Sequence, residues 1–351
     1  MIAPKTLVHY IEHWATLKPH RNALHGKRNG HWYSVSWDEY WTSVRQIGKA
    51  LVSLGHREGE CVAFVGANDP RWVQYQFGTQ AVRGVPAPIY LTNTKEQSAF
   101  IVANCKARIL VCDGETQLVK FLEAEREGLF PKLEHILTFD EVPQAKTDPR
   151  IKSFEEVKAL GAAQPNTEID RRLAALTDTE TCILIYTSGT TGRPKGAMLT
   201  HGNLAANTRA LVGAWRFTAD DVLVHALPLY HVHGLFVATL CVLASGARMR
   251  LLPRFDADEV VRLLPSSTVL MGVPTFYTRL LAHPGLTREA CARMRLFVSG
   301  SAPLLAETHR AFAERTGHAI LERYGMTETG MNASNPYDGE RRPGTVGPPL
   351  P

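Results

Sequence analysis

Cysteine is scarce and scattered in this chain of 351 residues. Its six cysteines form no CxxC pair, so neither a paired-cysteine zinc site nor the disulfide framework of a small secreted domain is indicated. Several of them lie in apolar runs, where a free thiol behaves as a small hydrophobic side chain. This usage favours a reducing compartment. The positions are Cys61, Cys105, Cys112, Cys182, Cys241 and Cys291.

Long apolar segments are also missing. The longest apolar run, Leu235–Ala244, has about half the length that a membrane-spanning helix needs. Residues 1–16 include Lys5, Glu12 and His13, so they lack the apolar core of a signal peptide. We therefore expect no membrane span and predict a cytoplasmic location.

Neither sign of charge dominates. The chain has 39 basic and 34 acidic residues, a net charge of +5, and the basic residues form no stripe. We therefore expect no nucleic-acid partner, whereas a slight positive balance suits small anionic substrates. The sequence contains no internal repeat or low-complexity tract, and it indicates no particular oligomeric state.

Short apolar runs alternate with segments of helical spacing. Cys61–Val65 predicts a buried strand, Pro70–Ala81 a helix and Val85–Ile89 another strand, and the second half repeats this order. The predicted fold class is α/β, with largely parallel sheets flanked by helices in two packed subdomains, 1–175 and 176–351. Residues 140–180 are polar and weakly periodic, so we predict a linker there with one short helix from Phe154 to Leu160.

A glycine-rich stretch, Tyr186–Gly196, follows the apolar run Cys182–Ile185 and precedes a helical pattern from Asn203 to Val212. Small residues let the backbone approach an anion closely, hydroxyls add donors, and Lys195 adds a positive charge. The glycine spacing fits neither a Walker A loop nor a dinucleotide-binding fingerprint. A solvated Gly/Ser/Thr linker would explain the composition, but not a lysine beside a proline directly after a strand.

The stretch Tyr186–Gly196 resembles the signature loop of the adenylate-forming superfamily, which comprises acyl-CoA synthetases, peptide-synthetase adenylation domains and luciferases. The resemblance implies the fold of the large N-terminal part of an acyl-CoA synthetase. It also implies that this loop binds the β- and γ-phosphates of ATP and that Thr187 helps to hold Mg²⁺. The implied loop residues are Thr187, Ser188, Gly189, Thr190, Thr191, Gly192 and Lys195.

Pro228–Gly234 follows a predicted strand and contains His231 and His233. Two histidines at this spacing can bind zinc, but no HExxH motif or paired cysteine accompanies them. The segment resembles the aromatic and histidine motif of the superfamily, which places His231 beside the acyl carboxylate. For His233, a packed core histidine is the simpler interpretation.

Met271–Arg279 joins a predicted strand to a helix and is similar to the matching segment of malonyl-CoA synthetases. The resemblance implies that Arg279 contacts the distal carboxylate of a dicarboxylic acid, a task that suits the planar guanidinium. A solvated helix arginine is the alternative. The segment Met331–Glu340 has the same resemblance, which places Met331 near the acid.

Two further motifs complete the implied nucleotide site. The turn after Phe297–Ser299 implies an adenine wall formed by Gly300, Ser301 and Ala302, although a helix-starting turn is the simpler alternative. The motif Arg323–Thr329 resembles a second motif of the superfamily, and the resemblance implies adenine stacking by Tyr324, an α-phosphate contact from Thr327 and Mg²⁺ binding by Glu328. The residues that the resemblance implies for nucleotide binding are Glu322, Arg323, Tyr324, Gly325, Met326 and Thr327.

The implied activity is ATP-dependent ligation of a carboxylic acid to CoA through an acyl-adenylate, with ATP, Mg²⁺ and CoA as cofactor and co-substrates. Lys195, His231, Thr327 and Glu328 are the implied catalytic residues. Malonate or a related short dicarboxylic acid is favoured. A long-chain fatty acid stays open, because Pro88–Thr94 resembles long-chain acyl-CoA synthetases, although a helix cap by Thr94 explains most of that segment.

The superfamily continues beyond the motifs found here, with a ribose-binding aspartate and a small C-terminal domain that carries a catalytic lysine. No position in residues 1–351 takes these roles, so we expect the isolated chain to bind nucleotide weakly and to turn over poorly. A nucleotide-binding core without turnover is therefore an alternative function, and a structural protein with an inactive pocket is another.

Overall fold

The secondary structure alternates between strands and helices over most of the chain. A computed structural model describes Pro4, residues 6–187 and residues 194–351. The strands are β1 (Asn22–Arg28), β2 (His31–Ser36), β3 (Cys61–Val65), β4 (Val85–Ile89), β5 (Ile109–Cys112), β6 (His135–Thr138), β7 (Ile151–Ser153), β8 (Thr181–Thr187), β9 (Lys195–Thr200), β10 (Val222–His225), β11 (Arg248–Leu251), β12 (Val269–Gly272), β13 (Leu296–Ser299), β14 (Leu321–Met326) and β15 (Gly330–Ser334).

The helices connect and cover these strands. They are α1 (Leu7–Leu17), α2 (Trp37–Ser53), α3 (Pro70–Ala81), α4 (Lys95–Asn104), α5 (Glu115–Arg126), α6 (Phe154–Ala162), α7 (Thr167–Ala175), α8 (His201–Ala214), α9 (Thr239–Ser245), α10 (Ala257–Leu263), α11 (Pro274–Leu281) and α12 (Ala306–Thr316). Short 3₁₀ segments lie at Pro143–Lys146 and Leu264–Ser266, and a π-helix spans His233–Ala238.

The chain forms two compact units. Unit 1 extends to His20 and continues from Trp37 to Asn203, whereas unit 2 consists of Arg21–Ser36 and Leu204–Pro351. The predicted N-terminal part, 1–175, thus falls in unit 1 except for residues 21–36. The division at 175 stays a prediction about domains.

Unit 1 is built on a five-stranded parallel sheet with the order β4-β3-β5-β6-β7. Its strands are apolar because both faces are covered, and β4 and β5 are buried along their whole length. Helices α4 and α5 pack on this sheet through residues such as Ile101 and Phe121. The predicted strands and helix between Cys61 and Ile89 are confirmed.

Local capping sets the start of several helices in unit 1. Helix α4 begins with a reciprocal capping box between Thr94 and Gln97, so the helix-cap interpretation of Pro88–Thr94 is confirmed. Helix α3 begins at Pro70, and the side chain of the preceding residue, Asp69, accepts a hydrogen bond from the Arg71 N–H at 2.7 Å.

The predicted linker at residues 140–180 is wrong. Ile151–Ser153 is the edge strand of the unit 1 sheet, in register with Ile136–Thr138, and two helices follow it. Ser153 and Glu156 form a capping box that begins α6. The segment is polar because each of its short helices buries one face and exposes the other, so the weak hydrophobic signal reflected exposure rather than a lack of structure.

The sequence predicts a helix directly after the glycine-rich loop, but a strand intervenes. Strands β8 and β9 form an antiparallel hairpin in which Thr187 pairs with Lys195. Helix α8 begins only afterwards, where the Thr200 hydroxyl accepts a hydrogen bond from the Asn203 N–H at 3.1 Å. The loop therefore joins two strands, and a helix N-terminus does not follow it directly.

Unit 2 contains an eight-stranded sheet with the order β15-β14-β13-β12-β10-β11-β1-β2. Its parallel core, β11-β10-β12-β13-β14, has the same doubly wound order as the sheet of unit 1. Helices α10, α11 and α12 pack on it through Val260, Tyr277 and Phe312. The strand order reverses between β10 and β12, and in this architecture a ligand crevice forms beyond the carboxyl ends of the strands at that point.

The outer part of the unit 2 sheet comes from the start of the chain. Strand β1 pairs in parallel with β11, where Leu24 lies opposite Met249, and β2 returns antiparallel beside β1. Strand β1 is not predicted from the sequence, because Asn22–Arg28 lacks a strong apolar pattern. Among the residues that the structure describes, no helix combines the length and apolar character that a bilayer crossing requires.

Candidate active site

The carboxyl ends of the parallel strands in unit 2 gather most of the predicted site residues. At the end of β13, the Gly300 N–H donates to the Gly272 carbonyl at the end of β12, over 3.3 Å. The chain then turns through Ser301, whose φ of 69° lies in the left-handed region that non-glycine residues rarely adopt. Ser301 and Ala302 are exposed. This turn, predicted as an adenine wall, therefore offers backbone and hydroxyl groups to a ligand.

His225 ends β10, and His231 and His233 follow it at this edge. His225 is buried, and its Nε2 lies 2.9 Å from the Gly234 carbonyl oxygen and 3.2 Å from the Thr239 hydroxyl. His231 accepts a hydrogen bond at Nδ1 from the His233 N–H over 3.3 Å. The His233 Nδ1 in turn lies 3.3 Å from the Ser301 hydroxyl. The π-helix that begins at His233 thus connects the predicted histidine motif with the turn after β13.

These histidines are neutral at physiological pH. Burial, and next the positive charge of Arg323, lowers the pKa of His231 below its usual value, and the same causes lower the pKa of His233 further. Because His231 accepts at Nδ1, the proton of its neutral imidazole resides on Nε2, which is a donor. His231 is therefore suited to donate a hydrogen bond to an anion rather than to act as a cation.

Among the described residues, His231 and His233 have no further side chains with which to bind zinc. Within residues 6–187 and 194–351, no group of three His, Cys, Asp or Glu side chains is arranged to hold a metal ion. In addition, Nδ1 of His231 is occupied by a backbone N–H.

Arg323 lies beside the same turn. A β-carbon on Gly300 would lie 2.4 Å from Cζ of Arg323, so the guanidinium occupies the space that a larger residue at 300 would need. The side chain is buried, and its Nε and Nη2 have no hydrogen-bond partner among the described residues. Burial lowers the pKa of Arg323 to about 10, which leaves it charged at neutral pH.

Glu322, also predicted to bind nucleotide, makes a contact within the fold. Its Oε1 accepts a hydrogen bond from the Leu304 N–H over 3.0 Å, which holds the segment after the Ser301 turn against β14. Its backbone carbonyl accepts from the Asn335 side chain over 3.0 Å. A nucleotide contact by Glu322 stays a prediction.

The β14–β15 hairpin carries the second predicted motif. Tyr324 is 50% exposed, Met326 is also exposed, and the Tyr324 hydroxyl lies 3.9 Å from the Met326 sulfur. Thr327 and Glu328 form the turn, where Glu328 is exposed and has no ion pair within the described part of the chain. A flat aromatic face and a free carboxylate are thus presented to solvent on one hairpin.

Two features of this hairpin could not be predicted from the sequence. A β-carbon on Gly325 would lie 2.3 Å from the Gly330 carbonyl oxygen, so the crossing strands require glycine at 325. Asn207 on α8 binds the Met331 backbone twice, accepting from its N–H at 3.0 Å and donating to its carbonyl at 2.9 Å. Met331 itself is buried. An asparagine within a helical pattern gives no signal of such a contact.

The predicted phosphate loop belongs to unit 1. Thr187 ends β8, and Lys195 begins β9 with an exposed side chain. Tyr186, beside Thr187, is anchored by a hydrogen bond of 2.6 Å from its hydroxyl to Asn104. The predicted phosphate-binding residues Ser188, Gly189, Thr190, Thr191 and Gly192 lie outside the described residues.

Arg279 lies on the exposed side of α11. Its guanidinium carbon is 4.7 Å from the centroid of the Phe255 ring, and Phe255 stacks on Phe276 with a centroid separation of 3.9 Å. Among the described residues, no carboxylate forms an ion pair with it. Arg279 is therefore a stacked, exposed cation, and its predicted contact with the acid stays a prediction.

Residues 11–351 match the family described as AMP-binding enzyme. A mitochondrial malonate–CoA ligase from Mus musculus is 35% identical over 349 residues, which cover 94% of this chain and 56% of that relative. ATP-bound MatB from Rhodopseudomonas palustris is 38% identical with a TM-score of 0.83, over 99% of this chain and 65% of that one. A malonyl-CoA ligase solved with methylmalonyl-CoA and AMP is 31% identical with a TM-score of 0.73, over 94% of this chain and 63% of that one.

The chain thus spans between about half and two thirds of the length of these relatives. Its structural similarity to MatB confirms the predicted fold class, because the match extends over 99% of the chain. The family match begins before β1 and runs to the last residue, so it includes both units. The chain belongs to the AMP-binding enzyme family, the adenylate-forming superfamily that its glycine-rich loop and its Arg323–Thr329 motif predict.

Proposed function

We propose that the chain is the nucleotide- and acid-binding part of an ATP-dependent carboxylic acid:CoA ligase, whose acid is malonate or a related short dicarboxylic acid. The observation that carries the proposal is the set of donors at the carboxyl edge of the unit 2 sheet. Arg323, His231 and Ser301 offer a guanidinium, an imidazole and a hydroxyl there. Such donors suit a carboxylate, and the names of the relatives support malonate.

The same edge offers a nucleotide site. The half-exposed ring of Tyr324 is free to stack on adenine, and the Gly300–Ala302 turn would form the opposite wall. Thr327 would donate to the α-phosphate. That Thr187 and Lys195 bind phosphate stays a proposal from the sequence resemblance. The ATP-bound state of MatB supports ATP as the nucleotide.

A magnesium ion fits the residues present. Mg²⁺ prefers oxygen ligands and is often held by one carboxylate together with substrate phosphates. Glu328 is an exposed carboxylate in a turn, without an ion pair among the described residues, and Thr327 beside it adds a hydroxyl oxygen. When bound, the ion would neutralise charge on the phosphates as pyrophosphate leaves.

The proposed reaction has two steps. A carboxylate oxygen of the acid attacks the α-phosphorus of ATP, the bond to the β-phosphate oxygen breaks, and pyrophosphate leaves. The CoA thiol then loses its proton to solvent, the thiolate attacks the acyl carbon, and AMP leaves as the bond between that carbon and the phosphate oxygen breaks. His231 would orient the carboxylate through its Nε2–H, and Thr327 and Lys195 would stabilise the charge on the phosphates. Turnover by the isolated chain is predicted to be poor, and a cytoplasmic location stays a prediction.

The first test measures thermal stabilisation of the purified 351-residue chain by ATP and Mg²⁺, with malonate or a long-chain fatty acid added in turn. We expect ATP and Mg²⁺ to raise the midpoint and malonate to raise it further, because a ligand that binds only the folded state stabilises it. Pyrophosphate release with each acid distinguishes a ligase from a binding core without turnover.

Three results would count against the proposal. A further shift with the fatty acid alone would favour a long-chain fatty acid:CoA ligase. Stabilisation by nucleotide without pyrophosphate release, even in a longer protein that includes this chain, would indicate a binding core. No shift with nucleotide or any acid would contradict the proposed function altogether.

A further inference from the structure

Two of the six cysteines, Cys61 and Cys105, lie side by side in unit 1. Cys61 is the first residue of β3, and Cys105 directly follows the last residue of α4. Residues 106–108 lead from Cys105 to β5, and Ile109 of β5 is in register with Val62 of β3. The topology of the sheet therefore brings the end of α4 to the start of β3.

The two thiols are in hydrogen-bond contact. A hydrogen bond from Cys105 stabilises a thiolate on Cys61 and lowers the pKa of Cys61 below its usual value, although burial and the charge of Glu60 oppose this shift. The same hydrogen bond, and next burial, raises the pKa of Cys105, which therefore keeps its proton. The pair consists of one thiol that ionises readily and a neighbour that stays protonated.

Tyr186 on β8 also lies against this pair. Its hydroxyl donates to the side chain of Asn104 over 2.6 Å, and Asn104 directly precedes Cys105. Burial, and next the two sulfurs, raises the pKa of the Tyr186 hydroxyl above its usual value. Cys61, Cys105 and Tyr186 all pack in the same apolar cluster. Three separate segments of unit 1 therefore meet at the two sulfurs.

The other four cysteines differ from this pair in exposure. Cys61 and Cys105 are half-buried, whereas the other four are buried. These four are Cys112, Cys182, Cys241 and Cys291. Burial raises the pKa of all four, and that of Cys291 to about 11, so their thiols stay protonated at neutral pH. Because the thiolate is the reactive form, only Cys61 combines access with ready ionisation.

We propose that Cys61 and Cys105 are a redox-sensitive pair, which a low-molecular-weight disulfide converts into a reversible disulfide bond. Redox-sensing cysteines are accessible, form thiolates readily and lie next to a resolving cysteine. Cys61 is the attacking residue here, and Cys105 is the resolving one. Such a bond is transient in a reducing compartment, where disulfides that form are usually regulatory. The inference concerns a modification and does not depend on the proposed ligase activity.

The modification consists of two thiol–disulfide exchanges. The Cys61 thiolate attacks one sulfur of the small disulfide, whose S–S bond breaks, and a mixed disulfide forms as the first small thiolate leaves. The Cys105 thiol then loses its proton to solvent, and its thiolate attacks Sγ of Cys61. The mixed disulfide breaks, the second small thiolate leaves, and both small thiolates take up protons. Two protein thiols are oxidised, and one small disulfide is reduced to two thiols.

The test uses glutathione disulfide as the probe and the native, reduced chain of 351 residues. After incubation, free thiols are alkylated, the chain is digested with trypsin, and the peptides are identified by mass spectrometry without reduction. Cleavage after lysine and arginine places Cys61 in the peptide 58–71 and Cys105 in the peptide 96–106. We expect a disulfide to join these two peptides and dithiothreitol to separate them. Thiol titration in urea should fall from six thiols per chain to four, because two of the six are consumed.

Variants assign the roles of the two thiols. Cys105→Ser should stop at the mixed disulfide between Cys61 and glutathione, because the resolving thiol is missing. Cys61→Ser should lower the rate of thiol loss at least about tenfold, since the remaining thiols ionise less readily. Cys291→Ser is the matched control, because it removes a buried thiol. It should change neither the joined peptides nor the rate.

Two results would overturn the inference. If the peptides 58–71 and 96–106 stay separate in the native chain under excess glutathione disulfide, or join only after unfolding in urea, the two sulfurs are not positioned for exchange. Equal reaction of all six cysteines would contradict a selective pair. Should a serine variant not fold, the peptide map of the wild type decides. No nucleotide or acid is present in this test, so its failure is distinct from a failure of the proposed function.

Discussion

Replacing Gly234 by alanine should destabilise unit 2 strongly. A β-carbon at Gly234 would lie 2.3 Å from the Pro228 carbonyl oxygen, 2.8 Å from the Pro228 carbonyl carbon and 2.9 Å from the Leu227 carbonyl oxygen. All three are backbone atoms, so no side-chain rotation relieves the overlap. The Gly234 carbonyl also accepts from Thr239 at 2.9 Å and contacts His225. Any shift of the backbone therefore disturbs a buried hydrogen-bond network.

The expected magnitude follows from these contacts. Forcing an extra carbon into a packed core costs about 1 to 3 kcal/mol, and rigid neighbours place Gly234→Ala at about 3 kcal/mol. For a domain of this size, that corresponds to a fall of about 6 to 12 °C in melting temperature. Because the segment includes His231 and His233, stabilisation by malonate should be lost as well.

Gly213→Ala is the matched control. Gly213 lies in α8, and a β-carbon there would have no atom within 4 Å. Alanine is the better helix former, so this variant should gain about 0.5 kcal/mol. Melting is followed by circular dichroism for both variants. A melting temperature of Gly234→Ala within 1 °C of wild type, on the order of the assay error, would refute the packing argument.

Two further predictions concern charged groups of unit 2. Asp221→Asn should cost about 3 kcal/mol at pH 7, because it leaves Arg295 without the bidentate bonds of 2.7 and 2.6 Å to a buried carboxylate. Burial raises the pKa of Asp221, but the hydrogen bonds from Arg295 lower it by more, so the pKa lies below its usual value. The stabilisation by this ion pair is therefore present above about pH 4 and lost below it. Urea unfolding of wild type and variant should therefore converge as the pH falls below about 4, and a constant difference would contradict the ion-pair argument. Glu328→Gln should raise the Mg²⁺ concentration for half-maximal stabilisation by ATP about tenfold, since a charged metal ligand is lost. The melting temperature of Glu328→Gln without ligands should equal that of the wild type. The control Glu307→Gln, on the exposed start of α12, should change neither the Mg²⁺ requirement nor the melting temperature. An unchanged Mg²⁺ requirement in Glu328→Gln would show that Glu328 is not a metal ligand.

Local sequence patterns predict much of the fold. Cys61–Val65 and Val85–Ile89 are continuous apolar runs because both sheet faces are covered, and Pro70 marks the helix start between them. Strand β1 could not be predicted, because Asn22–Arg28 forms a strand only by pairing with β11, far along the chain. Strand β9 was not predicted either, because Lys195–Thr200 is a strand through its pairing with β8.

The candidate site also has features that the sequence predicts and features that only the structure shows. Motifs identify Gly300, Tyr324 and Glu328 by position, because a resemblance transfers residues one by one. It does not show what each side chain contacts. The unpaired guanidinium of Arg323 and the two hydrogen bonds from Asn207 to Met331 depend on segments brought together by folding, so they emerge only from the structure.

The early hairpin β1–β2 has a consequence for synthesis of the protein. Its pairing partner β11 is more than 200 positions later, with Leu24 opposite Met249, and at ribosomal rates the hairpin waits roughly 10 to 45 s for it. During that interval the rest of unit 1 is synthesised up to Asn203, so unit 1 can fold while two strands of unit 2 are still unmatched. A polypeptide starting at Leu204 would never receive them, and β11 would then expose an unpaired parallel edge of the kind that promotes aggregation.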